Sequence, residues 1–199
     1  MPTVGFLGAT TSATSPQWAA AFAQRLRELG WTEGRNVAVG YRWAESRNER
    51  MAEIAAEFVR ARADVIVAQG TPAALAAKNA TAAIPIVFVL PGDPVGSGLV
   101  ASLARPGGNV TGLSSQTADL SGKRLDLMRE IVPELRRLAM MGNAGNSANV
   151  SDTHEFQTAA RASGLDATTF EIRRTEDIPP RLPRSKVRLM RFTSRPMRS

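Results

Sequence analysis

The residues Gln69-Gly70-Thr71-Pro72 form the clearest candidate for a binding site in this 199-residue chain. They lie between a short apolar run and an alanine-rich stretch, a pattern that predicts a strand, a glycine turn and a helix starting with proline. The free N–H groups and the positive dipole end at such a helix start suit a carboxylate or a phosphate. Helix capping alone also explains the same residues, with Thr71 as the N-cap and Pro72 at the first helical position. No Gly-Lys-Ser or Gly-Lys-Thr follows, so a nucleotide phosphate is not indicated.

Two further loops could bring polar groups to the same place. Asp93 lies in the glycine- and proline-rich segment 91–98, where a carboxylate could pair with the ammonium group of a ligand. An Asx turn before Pro94 explains this aspartate equally well. Thr10 lies in the polar segment 8–12 after the first predicted strand, which could supply backbone and hydroxyl contacts but lacks the G-x-G-x-x-G spacing of a dinucleotide site.

Side chains for catalysis or metal binding are scarce. The chain has no cysteine, which excludes a thiolate zinc site and a cysteine nucleophile, and His154 is its only histidine. That histidine falls in a polar helical stretch and is expected at the surface. No set of residues combines a nucleophile, a base and an oxyanion hole, so we expect no enzyme activity, no metal and no cofactor.

Strands and helices alternate along the chain, which predicts an α/β fold with a parallel, Rossmann-like sheet. Ligands bind in such sheets at the carboxyl ends of neighbouring strands, where the three segments above are expected to meet. The predicted strands are 4–7, 37–43, 64–68, 84–90 and 110–113, with helices at 16–29, 47–63, 72–80 and a short one at 99–103. The pattern resumes with helix 120–132, strand 138–141, helix 150–163 and strand 167–172.

The net charge of +7 is concentrated in one segment. Residues 179–199 contain six Arg, one Lys and no acid, so the rest of the chain has 25 − 7 = 18 basic residues against 18 acidic ones. A uniformly basic binding face is therefore not supported, and no nucleic-acid partner is expected. A native basic tail that binds nucleic acid or membrane is the alternative.

Targeting signals are not evident in the sequence. No apolar run is long enough for a membrane span, and the chain enters its first strand directly after Met1-Pro2 without a cleavable leader. A removed leader, a start codon inside a longer gene and retention in the cytoplasm all remain open.

Three long motifs resemble the ABC-transporter substrate-binding proteins of the tryptophan/tyrosine type. The resemblance extends over about residues 4–178, and its densest parts are RLRELGWTEGRNVAVGYRWAESRNERMAEIAAEFVRARADVIVAQGTPAALAAK, IPIVFVLPGDPVGSGLVASLARPGGNVTGLS and LSGKRLDLMREIVPELRRLAMMGNAGN. It implies a periplasmic-binding-protein-like fold, in which two lobes close around a solute at a hinge.

The resemblance also implies a set of ligand-binding residues. The start of the predicted helix would bind the carboxylate of an amino acid, while other residues line the cleft from the first lobe and face it from the second. The residues are Gly70, Thr71, Pro72 and Ala73 at the helix start, Thr10, Asp93 and Pro94 in the first lobe, and Asn143 and Ser147 in the second.

The basic segment departs from the family pattern, which continues for over a hundred residues beyond Ile178. Shifting the reading frame of residues 184–199 by one nucleotide can yield a family-like continuation, so we hypothesise that a frameshift replaced the rest of the second lobe. The predicted organisation is a first lobe at 1–113, an incomplete second lobe at 114–178 and a disordered tail at 179–199. The strands of the truncated lobe would be incompletely paired, and solute binding would be impaired.

The sequence thus predicts the solute-binding component of an ABC-type import system. Its expected partners are a membrane permease and an amino-acid-like solute, with aromatic amino acids as one candidate class. The family implies a periplasmic location. Alternatives are a nucleic-acid- or membrane-binding protein that uses the tail and a nucleotide-binding α/β enzyme domain.

Overall fold

The computed structural model describes residues 1–13, 16–115, 120–173 and 175–178. The basic segment 179–199 lies outside the described residues, and the predictions made for it stay predictions.

Five parallel strands form the first sheet, as the alternating pattern predicts. Their spatial order is β2-β1-β3-β4-β5, with the first strand inside the sheet and the second at one edge. The strands are β1 (Thr3–Gly8), β2 (Ala38–Trp43), β3 (Val65–Gln69), β4 (Ile86–Val89) and β5 (Val110–Leu113). The helices between them are α1 (Pro16–Glu28), α2 (Asn48–Arg60) and α3 (Thr71–Ala80).

Two more parallel strands form a separate sheet after residue 120. This part contains α4 (Ser121–Ile131), β6 (Arg137–Asn143), α5 (Ser147–Ala162) and β7 (Asp166–Ile172), followed by a 3-10 turn at Thr175–Asp177. Its small core is built from Leu125, Phe156, Ala160 and Leu165. The α/β architecture is confirmed, whereas the lobe boundaries at 113 and 178 stay predictions.

The main core lies between the first sheet and the helices α2 and α3. Leu7, Ile66 and Ile86 of the sheet are fully buried, and they belong to one cluster with Phe58 of α2. Three alanines of α3 are also fully buried, which lets this helix pack closely against the sheet. On the opposite face, an aromatic group joins α1 to the sheet, with the Phe6 ring centroid 5.5–5.7 Å from those of Phe22, Tyr41 and Trp43.

The predicted short helix at 99–103 is wrong. Leu99 and Val100 are buried in a non-helical loop, and their backbone N–H groups both donate to the Pro94 carbonyl. Ala101 N donates to the Pro106 carbonyl instead of to a residue one turn earlier. The apolar spacing reflected burial of Leu99 and Val100 in the main core cluster, and not a helical repeat.

Gly5 in the centre of β1 lets Phe58 approach the sheet. A Cβ atom built on Gly5 would lie 2.6 Å from Phe58 Cγ, closer than two carbon atoms pack. The aromatic ring therefore occupies the space in which any other residue would place its side chain.

We expect Gly5→Ala to lower the free energy of unfolding by about 1–3 kcal/mol, because the Phe58 ring must move within a packed core. Chemical denaturation measures this change. Gly122→Ala in α4 is the matched control, since an added Cβ meets no atom within 4 Å there, and it should be neutral or stabilising by up to about 1 kcal/mol. Equal effects of the two substitutions would contradict the packing argument.

Asp64 joins the start of β3 to the start of β1. Its Oδ2 accepts hydrogen bonds from the Thr3 backbone N–H (2.7 Å) and from the Thr3 hydroxyl (3.0 Å). These bonds, the backbone one first, lower the pKa of the Asp64 carboxyl below its ordinary value of 3.8. The ionised form is thus favoured by folding.

Since the pKa is lowered in the folded state, the stabilisation by Asp64 is fully present above the ordinary, unfolded pKa of 3.8 and is lost as the pH falls through the folded value. We expect Asp64→Asn to lower the melting temperature at pH 6–7, with a difference from the parent chain that disappears toward about pH 2. Asp126→Asn, at an exposed position of α4, controls for loss of a negative charge. A difference for Asp64→Asn that stays constant with pH would contradict this role.

Candidate functional site at the carboxyl ends of the first sheet

Gly70 turns the chain from β3 into α3. It is the N-cap residue, with φ +82° and ψ 162°, and no side chain caps the helix. The alternative in which Thr71 is the N-cap is therefore wrong: Thr71 is the first helical residue and Pro72 the second. A positive φ with this extended ψ is open to glycine and strained for other residues. The first turn of α3 is left without a capping side chain.

Two polar side chains beside Gly70 have buried atoms without a partner. Thr71 is 2% exposed, and neither its Oγ1 nor Gln69 Oε1 has a hydrogen-bond partner among the described residues. A buried polar atom in this state costs about 1–3 kcal/mol. Native proteins keep such groups for a ligand, a water molecule or a functional purpose. Ala73 is fully buried and Pro72 half-buried.

The loop with Thr10 lies next to the start of α3. Gly8 pairs with Gln69 in the register of β1 and β3, and a Cβ built on Gly70 would lie 3.9 Å from Ala9 Cβ. The Thr10 carbonyl accepts a hydrogen bond from Glu45 N (3.0 Å), which fixes this loop to the end of β2. The structure thus brings Thr10 and the helix start to the same edge of the sheet.

Asp93 makes the Asx turn that was the alternative to ligand binding. Its Oδ1 accepts hydrogen bonds from Val95 N (3.1 Å) and Gly96 N (2.7 Å). The neighbouring Pro94 is buried, and its carbonyl supports the same loop. Both residues therefore have a demonstrated role in loop geometry, and their contact with a ligand stays a prediction.

Lys78 fixes the other end of this loop to α3. Its Nζ donates to the carbonyl oxygens of Gly98 (2.6 Å) and Leu99 (3.1 Å). The loop also turns away from β4 at Leu90, a non-glycine residue with φ +58°. Such strain persists only where surrounding contacts hold it. The start of the loop is held by the hydrogen bond from Leu90 N to the Leu113 carbonyl (2.9 Å), and its other end is held by Lys78.

Asn143 and Ser147 lie at the carboxyl end of the second sheet. Asn143 is the last residue of β6, and its Oδ1 accepts a hydrogen bond from Gly145 N (2.8 Å). Ser147 is the first residue of α5, and its side chain is outside the description. A hydrogen bond from Asn48 Nδ2, in the first residue of α2, to the Gly145 carbonyl (3.1 Å) joins this region to the first part of the chain.

Two surface cavities formed by described residues lie away from the start of α3. The larger, of about 530 Å³, contains one predicted site residue, Asn143, and is lined also by Gly142, Ala144, Asn149, Val150, Thr153, His154, Gln157, Thr169 and Glu171. The smaller, of about 320 Å³, lies between α1 and β2 and is lined by Ala23, Leu26, Arg27, Trp31, Thr32, Glu33, Val39 and Tyr41. Burial raises the pKa of the Tyr41 hydroxyl in the smaller cavity, and the charge of Glu33 adds to this effect. Neither cavity includes Gly70, Thr71 or Asp93.

Sequence reasoning placed Gln69 in the candidate segment but gave it no role of its own. It missed two other residues near this edge. They are Ser97, whose buried Oγ also lacks a partner among the described residues, and Asn48. Neither gives a sequence signal, because their settings depend on contacts between distant segments. His154 is exposed, as expected.

In the part of the chain that the structure describes, no three His, Cys, Asp or Glu side chains come together as a metal site. No helix within the same residues has both the length and the apolarity to span a bilayer.

We expect Thr71→Val, measured without ligand, to raise the free energy of unfolding by about 1 kcal/mol, because it replaces a buried hydroxyl that has no partner with a methyl group of similar size. Chemical denaturation measures the change. Thr111→Val at an exposed position of β5 is the matched control and should change stability by less than about 0.5 kcal/mol. A loss of stability for Thr71→Val would mean that the hydroxyl has a partner in solution.

Solved structures share this architecture. A conserved domain protein from Vibrio cholerae superposes with a TM-score of 0.81 at 29% identity, covering 88% of this chain and 59% of that one. The ABC domain from Streptococcus pneumonia in complex with L-Trp gives 0.80 at 24% identity, covering 89% and 59%. A substrate binding protein from Clostridium difficile in its ligand-free, open structure gives 0.61 at 25% identity, covering 89% and 60%.

Sequence comparison gives the family. A tyrosine-binding protein of Clostridioides difficile (strain R20291) is 33% identical over 138 residues, which are 68% of this chain and 39% of the relative. The chain therefore spans about two-fifths of that relative and three-fifths of the structures above. Residues 17–184 match the family model described as ABC transporter substrate binding protein. The predicted family is thus confirmed, and this chain belongs to the ABC transporter substrate-binding proteins.

Proposed function

We propose that the chain is the solute-binding component of an ABC-type import system, and that its inherited solute is an aromatic amino acid. The observation that carries the proposal is the buried hydroxyl of Thr71, without a partner among the described residues, beside the uncapped start of α3. A tyrosine-binding protein at 33% identity supports the aromatic class. In this proposal the chain performs no chemical step.

The start of α3 offers a specific set of donors to a carboxylate. Gly70 N already donates to the Val89 carbonyl, and Ala74 N donates back to the Gly70 carbonyl. Pro72 has no N–H group, so the N–H groups of Thr71 and Ala73 remain for an anion in the first turn. The Thr71 hydroxyl adds a third donor, and the helix dipole favours the negative charge.

The rest of the proposed site comes from loops at the carboxyl ends of both sheets. In the proposal Thr10 borders the helix start from the loop after β1, and Asn143 and Ser147 face it from the second sheet. Asp93 and Pro94 shape the loop after β4, and Asp93 Oδ2 is the oxygen proposed for the solute ammonium group. In this arrangement the solute contacts residues of both proposed lobes, 1–113 and 114–178.

Import also requires a membrane permease and a suitable location. The proposed partners are a membrane permease and a small solute, and the proposed location is outside the cytoplasmic membrane, as the family implies. The second sheet has two strands in the described residues, against five in the first. We therefore propose that this chain binds its solute more weakly than a relative with a full second lobe.

We expect isothermal titration calorimetry of the full chain to detect L-tyrosine and L-tryptophan, and to detect tyramine at least tenfold more weakly because tyramine lacks the carboxylate. Thr71→Val should weaken L-tyrosine binding about fivefold, through loss of one hydrogen bond. Thr71→Ser keeps the hydroxyl and should retain most of the affinity.

Thr111→Val controls for the same chemical change outside the site and should leave binding unchanged. Equal binding of tyrosine and tyramine would contradict the helix start as the carboxylate site. Absence of binding by any aromatic amino acid, in a chain shown to be folded by circular dichroism, would contradict the proposed solute class.

A further inference from the structure

We propose that Asn48 is a latch residue, whose side-chain amide holds the two sheets in a closed arrangement through the Gly145 carbonyl. Asn48 is the first residue of α2, a helix that packs on the first sheet. Gly145 lies in the loop after β6, a strand of the second sheet. The Nδ2–O distance is 3.1 Å across 97 residues of sequence. The latch concerns the protein without solute and does not depend on which solute the cleft binds.

The acceptor side of the latch is oriented by Asn143. The Asn143 carboxamide oxygen accepts the Gly145 N–H at 2.8 Å, and Asn146 N donates to the Asn143 carbonyl at 3.1 Å. These two bonds fold the loop back on the end of β6 and direct the Gly145 carbonyl. Asn143 therefore acts on closure as a positioning residue, through Gly145.

The donor side is oriented by a strained loop. Glu45 and Ser46, just before α2, both have positive φ angles, 53° and 62°. Their N–H groups donate to the carbonyls of Thr10 (3.0 Å) and Ala9 (2.7 Å). Residues in this conformation persist where other contacts hold them, and here the holding contacts come from the loop that borders the start of α3. The latch is thus connected to the proposed site through the backbone.

The strength of the latch suits a reversible closure. The bond is neutral and exposed, so its net effect on the ratio of closed to open molecules is about fivefold. A charge-assisted bond would hold the lobes more firmly. The chain superposes on the L-Trp complex with a TM-score of 0.80 and on the ligand-free, open structure with a TM-score of 0.61.

Distance measurement between the lobes tests the latch on the full chain. The sequence has no cysteine, so Arg60→Cys and Arg161→Cys, at exposed positions of α2 and α5, introduce two unique sites for spin labels. We expect Asn48→Asp to shift the label distances toward longer values and to lower the ratio of closed to open molecules by at least fivefold. The carboxylate removes the donor and repels the carbonyl, whereas an acidic residue in the first turn still favours α2.

Asn48→Ala removes the amide without adding charge and should lower the ratio of closed to open molecules about fivefold. This variant provides the same test if the Asn48→Asp chain fails to fold. Asn79→Asp, exposed in the last turn of α3, should leave the distances unchanged. Asn143→Ala should act in the same direction as Asn48→Ala, and the double variant should shift the distances no further than either single one. Unchanged distances in a folded Asn48→Ala chain, or additive shifts in the double variant, would overturn the latch.

Discussion

The backbone conformation of Gly70 is the constraint on which the site depends. A positive φ at this residue ends β3 and starts α3 in one step, so the strand cannot continue and no side chain can cap the helix. The Gly70 N–H remains tied to β4 through the Val89 carbonyl. The junction therefore fixes the helix start against the sheet, and no side-chain cap occupies its first turn.

Packing holds α3 and the loop after β4 in place against the first sheet. Helix α3 rests on the sheet through fully buried alanines, and Lys78 joins it to the loop of residues 91–100. This part of the molecule is a dense core with a fixed loop. Further along the chain, the exposed hydrogen bond from Asn48 to the Gly145 carbonyl joins the start of α2 to the loop after β6.

Much of the fold was predictable because periodicity reports burial. Alternating apolar runs gave the strands and helices of both sheets, and the strand–Gly–Thr–Pro pattern gave the position of the helix start. The pattern could not separate a buried loop from a helix at Leu99 and Val100, because both bury apolar residues at short spacing. Nor could it decide between capping and binding for Thr71, since the same residue types serve both.

The sequence by itself determined the parallel α/β fold, the family and the neutrality of the chain outside its last 21 residues, because these follow from local patterns and from motif identity. Only the tertiary structure decided that Gly70 and not Thr71 is the cap, that Asp93 Oδ1 is used within its own loop, and that Asn48 reaches Gly145. Each of these outcomes depends on where a backbone carbonyl or N–H group lies relative to a distant side chain. Such positions are set when the sheets and helices pack, and no pattern of residue types contains them.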